Sequence, residues 1–130
     1  MKPRDWLFWL VVAIAAGTVA AGLAQLCVPH VVLDLVGGST MNDAAYFFAI
    51  VGMFMALFGG MTLQAMFDRA SHPIILLWAS VQKLGASAAV AFGVLHGNFG
   101  SLALAISAFD LFSGVVMLAY RGRITRDITA

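Results

Sequence analysis

The chain is poor in charge and in cysteine, and both shortages narrow what it can be. Of its 130 residues, 10% are charged, against about 25% in soluble proteins, while 62% are hydrophobic and the mean hydropathy is +0.98. Every acidic residue is Asp, because the sequence has no Glu. This composition is typical of an integral membrane protein. It leaves no stretch for a soluble catalytic domain, so the sequence favours a non-enzymatic role.

The scarcity of cysteine and of basic residues excludes two further classes. Cys27 is the single cysteine, so an intramolecular disulfide and a Cys-x-x-Cys redox centre are both excluded. Nucleic acids require a basic surface, and the one basic cluster is the short tail with Arg121, Arg123 and Arg126. We therefore expect no nucleic-acid partner and interpret this tail as a topology anchor.

Four apolar stretches are long enough to cross a bilayer, which takes about 20 residues per helix. The connections between them are short, so consecutive spans should be antiparallel neighbours. We predict an all-α membrane protein, an antiparallel four-transmembrane-helix bundle that occupies residues 1–130 as one domain. Its spans are predicted at about residues 6–26, 42–67, 73–96 and 99–120.

A mixed segment, residues 29–36, separates the first two spans. Pro29 suits the first turn of a helix, and Gly37 with Gly38 is a typical end signal. We expect an interfacial helix or a re-entrant turn here.

Basic residues fall on one side of the predicted topology. The two loops on the opposite side contain no Lys or Arg, whereas the first side carries Lys2, Arg4, Arg69, Arg121, Arg123 and Arg126. The positive-inside rule then predicts that both termini of a multi-pass membrane protein are cytoplasmic. The aromatic residues expected at the membrane interfaces are Trp6, Trp9, Trp78 and Tyr120 on the cytoplasmic side and Tyr46 on the outer side. His72, in the turn after the second span, is expected to be solvated or to cap a helix.

Lys83 and Asp110 are each the one ionisable residue near the middle of a predicted span. A rise of 1.5 Å per residue places Lys83 about 14 Å and Asp110 about 15 Å from the cytoplasmic ends of their helices. A charge at this depth costs roughly 3 kcal/mol on insertion scales, so it faces a bundle interior and finds a partner. We predict an ion pair between them, with two interpretations left open: a structural pair that fixes the bundle, or a proton or substrate site.

Small polar residues extend this pair along both helices. Helical spacing places Ser80 and Ser87 on the face of Lys83, and Ser107 and Ser113 on the face of Asp110. Two such stripes, facing each other, would satisfy hydrogen bonds that lipid does not supply.

Small residues at four-residue spacing recur on three of the spans. Such rows allow close helix approach. The rows are Ala13, Gly17 and Ala21; Gly52, Ala56 and Gly60; and Gly85, Ala89 and Gly93. We expect close packing along them.

A weaker signal lies near the predicted outer face. Cys27, His30 and His96 carry the thiol and imidazole groups that bind zinc, copper or haem iron. The Cys-x-x-His spacing also recurs by chance, so these residues also fit ordinary interfacial positions. We predict no cofactor and keep haem or copper as an alternative.

The arrangement resembles that of small bacterial DoxX-like membrane proteins. The shared features are four short-looped spans, a polar turn after the second, Lys-Leu-Gly at 83–85 and the lone Asp110. Some members associate with respiratory or redox partners, so the resemblance implies a bacterial inner-membrane subunit.

These observations favour an accessory or assembly subunit, or a small oligomer, whose partners are the lipid bilayer and other membrane proteins. The alternative is a proton-coupled carrier or binder of small molecules that uses Asp110 and Lys83. A redox or metal-binding subunit is the third hypothesis.

Overall fold

A computed structural model describes residues 4–68 and 72–130, and within these ranges the chain is helical with no strand. The helices are α1 (Trp6–Cys27), α2 (Pro29–Leu35), α3 (Asn42–Phe67), α4 (His72–Leu95) and α5 (Leu102–Thr129). Of these, α1, α3, α4 and α5 are long and apolar enough to cross a membrane. The prediction of an all-helical chain with four candidate spans is confirmed.

The helix boundaries follow the predicted spans closely, except in α5. This helix begins at Leu102 rather than at Phe99 and continues past Tyr120 to Thr129. The late start follows from the turn before it, where Gly97 has a φ of +75° and Asn98 N–H donates to Gly93 O. The late end follows because hydropathy marks only where apolar residues stop, whereas backbone hydrogen bonding continues into the charged tail. The short α2 lies where the mixed segment was noted, with Pro29 in its first turn.

The four long helices form two closely packed pairs. The most extensive contacts join α1 to α3 and α4 to α5, while α3–α4 and α1–α5 contacts are fewer. Between α1 and α3 the backbones nearly touch: a Cβ added to Gly22 would lie 2.5 Å from Ala56 N, and one added to Gly59 would lie 2.9 Å from Ala15 O. Glycine therefore sets the separation of this pair.

The predicted rows of small residues coincide only in part with the faces through which the helices pack. Gly52 packs against α1, as its row suggested, whereas Gly17, Gly60 and Gly85 have open space where a Cβ would stand. Besides Gly52, the contact between α1 and α3 uses Gly22, which follows Ala21, and Gly59, which precedes Gly60. One residue turns a helix by about 100°, so a one-residue displacement moves a row out of the interface.

An apolar cluster closes one end of the molecule and joins the two pairs. Its buried residues come from α1, α3, α4 and α5: Phe8, Val11, Ile14, Met66, Leu76, Ala79, Met117 and Tyr120. The ring of Phe8 lies edge-on to the rings of Phe67 and Tyr120, with centroids 5.7 and 6.5 Å away. Through this cluster the start of α1 and the end of α3 contact the start of α4 and the later part of α5.

Polar groups at the same end tie the chain termini together. Asp5 accepts a hydrogen bond from Phe8 N–H at the start of α1, and its second carboxylate oxygen pairs with Arg123. Arg121 Nε donates to Pro73 O over 2.8 Å. The guanidinium of Arg4 lies 5.0 Å from the ring centroid of Phe67. Lys2 and Arg69 lie outside the described residues.

At this end the solvated alternative for His72 is wrong. His72 is buried, with Nε2 3.3 Å from Met66 Sδ and its ring edge-on to that of Tyr120. Tyr120 is buried with it. Both side chains are enclosed because four helices converge here, which a single-helix pattern does not reveal. The other expected belt residues are exposed: Trp6, Trp9, Trp78 and Tyr46.

At the opposite end, the segment after α2 packs on the turn before α5. Gly100 N–H donates to Val36 O over 2.8 Å, and Gly37 has a φ of +68°. A Cβ on Gly37 would lie 2.8 Å from Gly100 N. The two connections therefore close this end through backbone contact.

We expect Gly52→Ala to lower the free energy of unfolding by about 1–3 kcal/mol, the usual cost of overpacking. The added methyl group would stand 2.5 Å from Gln25 Cβ and 2.7 Å from Gly22 O. Gly17→Ala is the matched control, because its methyl group meets nothing within 4 Å. The measurement is reversible unfolding in detergent. Equal stability of the two variants would contradict the close α1–α3 packing.

Candidate functional site

Lys83 and Asp110 form a buried ion pair between α4 and α5. Lys83 Nζ lies 2.7 Å from Asp110 Oδ1, and the two side chains are 4% and 8% exposed. The ammonium also lies 5.9 Å from the ring centroid of Phe109, on the helix that carries Asp110. Such a pair attracts strongly where water is excluded, although most of that attraction is offset by the cost of desolvating both charges.

A glycine brings α4 and α5 close enough for the short Asp110 side chain to reach Lys83. A Cβ added to Gly114 would lie 2.8 Å from Leu84 Cγ and 3.3 Å from Ser80 O. Gly114 stands four residues after Asp110, on the same face of α5. The close approach and the ion pair therefore belong to one contact surface.

A second polar contact joins the same two helices about one turn away from the ion pair. Ser107 Oγ donates to Ser87 O over 2.8 Å. Because this uses the one hydroxyl hydrogen of Ser107, Ser87 is the donor in the 3.1 Å contact between the two hydroxyl oxygens. Ser107 thus takes part in two bonds between helices.

The other two predicted stripe residues do not bridge the helices. Ser80 Oγ donates to Leu76 O and Ser113 Oγ donates to Phe109 O, each four residues back on its own helix. Both serines are fully buried. A serine in a helix satisfies its hydroxyl locally in this way. Ser87 and Ser107 therefore bond across the two helices, whereas Ser80 and Ser113 are buried on the same faces and bond within their own helices.

A cavity of about 10 Å³ borders Lys83, on the side of the molecule where α1 and α3 approach it. Its polar lining comes from Thr18, Thr62, Gln82 and Lys83. Sequence reasoning missed both threonines. Their signal is weak, because each is one hydroxyl in an apolar span with no charge beside it.

The candidate metal ligands are not gathered into a site. Cys27 is exposed, His30 Nε2 is 3.4 Å from Asn42 Oδ1, and His96 Nδ1 donates to Phe92 O over 2.9 Å. Across residues 4–68 and 72–130, no group of three His, Cys, Asp or Glu side chains is placed to hold a metal ion.

Four helices long and apolar enough to cross a membrane place the chain in the class of multi-pass membrane proteins. No family model, curated protein or solved structure matches the chain. The function therefore has to be inferred from the helices and from the buried pair.

We expect Lys83→Met and Asp110→Asn each to destabilise the protein by about 3–5 kcal/mol, because each leaves a buried charge without its partner. The double variant should cost less than either single one, since it strands no charge. Unfolding in detergent measures all three. Additive losses in the double variant would show that the two residues do not act as a pair.

Ser107→Ala should destabilise more than Ser87→Ala. The first removes both bonds between the helices, whereas the second removes one, because Ser87 O remains an acceptor. A hydrogen bond between membrane helices contributes about 0.6 kcal/mol, so we expect losses near 1.2 and 0.6 kcal/mol. Ser113→Ala is the control, because its hydroxyl bonds only within α5. The same unfolding assay measures the difference, and the reverse order would refute the assigned donors.

Proposed function

We propose that this protein is an accessory or assembly subunit of a membrane complex, or a small homo-oligomer, and that the Lys83–Asp110 pair fixes the arrangement of its helices. The observation that carries the proposal is a buried ion pair inside a chain whose described residues lie mostly in four membrane-length helices. A chain built in this way acts through what contacts its helices.

The outward faces support a role in association. In an 18-residue apolar stretch of each helix, 17% of the residues are buried in α3 and 33% in α1 and in α5. Most of each helix therefore faces outward. On α1, Ala13, Gly17 and Ala21 are exposed, and Gly17 has open space beside it. Small residues at four-residue spacing permit another helix to approach closely, so this face suits a neighbouring helix.

The proposed arrangement is an antiparallel bundle with both termini in the cytoplasm of a bacterial cell, in its inner membrane. Its support is the distribution of charge: Arg4, Arg121 and Arg123 all lie at the end closed by the apolar cluster. The segments at the opposite end, residues 28–41 and 96–101, contain no Lys or Arg. The positive-inside rule assigns the first end to the cytoplasm. The resemblance to DoxX-like proteins agrees with this assignment.

The carrier hypothesis has less support. The cavity beside Lys83 measures about 10 Å³, about the space of one water molecule. Pockets for small organic ligands measure roughly 300–1,000 Å³. A carrier of such molecules that used Lys83 and Asp110 would need a second conformation with a much larger opening beside them.

We expect the protein, purified in mild detergent, to migrate as an oligomer or with a stoichiometric membrane partner. Gly17→Leu should abolish this association while leaving the unfolding midpoint unchanged, because the leucine fills the outward face of α1. Light scattering on the eluted species gives the mass after correction for detergent.

Gly60→Leu is the matched control for this experiment. Gly60 is also a glycine with open space, but it lies on α3 and not on the α1 face, so we expect normal association. A wild-type protein that is monomeric with no co-purifying chain would overturn the proposal. Loss of association in both variants would mean that the α1 face is not the contact.

A further inference from the structure

The cavity beside Lys83 lies between the two helix pairs, where direct contacts are few. It is bordered by Ala15 and Thr18 of α1, Thr62 of α3, Ala79 and Lys83 of α4, and also by α5. Ala15 and Ala79 are buried, as are Thr18, Thr62 and Lys83. Its lining therefore comes from both pairs, and it also includes the half-buried side chains of Phe58 and Gln82.

The hydrogen-bonding groups around the cavity are complementary. The Lys83 ammonium has three N–H groups and gives one to Asp110. Thr18 Oγ1 donates its single hydrogen to Ile14 O over 2.9 Å, and Thr62 Oγ1 donates to Phe58 O over 2.8 Å. With those hydrogens used, each threonine oxygen offers only lone pairs. One cationic donor and two acceptors thus belong to residues that border the same space, together with the amide of Gln82.

We propose that this cavity binds a single water molecule that accepts a hydrogen bond from Lys83 Nζ and donates to the hydroxyl oxygens of Thr18 and Thr62. A buried water typically makes about three hydrogen bonds, and one water needs about 10–15 Å³. The cavity, at about 10 Å³, meets the lower limit of that range.

The water has a structural consequence for the whole bundle. It gives Lys83 a second polar partner and connects α1 and α3 to the ion pair held by α4 and α5. The two helix pairs are then joined by hydrogen bonds inside the molecule as well as by the apolar cluster at its end. This site depends only on the cavity and its lining, so it stands or falls independently of the proposed association.

The test uses alanine methyl groups as reporters of bound water. The wild-type protein, labelled with ¹³C at alanine methyls and placed in lipid nanodiscs, is examined for Overhauser transfer from water to each methyl. Alanine side chains carry no exchangeable hydrogen, so a signal at an alanine methyl comes from a neighbouring hydrogen. We expect signals at Ala15 and Ala79 because both line the cavity. The control methyls are Ala45 and Ala103, which are equally buried but do not line the cavity. Signals at Ala15 and Ala79 no stronger than at these controls would overturn the proposal.

A pair of variants separates bound water from exchange through Lys83. Thr18→Val with Thr62→Val removes both acceptors and keeps the ammonium, so the signals at Ala15 and Ala79 should disappear because the water would lose two of its three hydrogen bonds. Ser113→Ala, which removes a hydroxyl away from the cavity, should leave them unchanged. Signals that persist in the double valine variant would assign them to Lys83 and refute the water site. Should that variant not fold, the wild-type comparison still decides.

Discussion

The bond between Lys83 and Asp110 is the constraint on which the interior depends. Inside a bilayer neither charge finds a partner in the surrounding lipid, so each side chain requires the other. Meeting that requirement fixes how far α4 slides along α5, because a 2.7 Å contact tolerates little displacement. The Ser87–Ser107 contacts and the close approach at Gly114 are then formed in the same register.

Different contacts hold the two helices of each pair to one another. Within the described residues, α4 and α5 combine an ion pair with hydroxyl bonds, whereas α1 and α3 approach through Gly22, Gly52 and Gly59. Backbone contact of the second kind depends on dispersion forces, which weaken steeply as atoms separate. Charge therefore determines the register of α4 on α5. Glycine, which has no side chain, determines the spacing of α1 and α3.

Much of the fold and part of the site follow from the sequence. Length and hydropathy predict the four long helices, and equal depth predicts that Lys83 and Asp110 meet. The differences arise where the prediction depends on which way a helix is turned. Ser80 and Ser113 lie on the predicted faces yet bond within their own helices, and Gly17 faces outward while Gly22 faces α3. His72 and Tyr120 are enclosed only because other helices arrive at the same place.

The sequence by itself determined the class of protein, the number of long helices and the polar residues that must avoid lipid, because the transfer of each side chain into a bilayer is a local property. The tertiary structure alone decided that α3 packs much less on α4 than on α1, which glycines touch, and that Thr18 and Thr62 border Lys83. These features depend on the rotation and separation of whole helices. Such quantities are set by the sum of many contacts between segments distant in the chain.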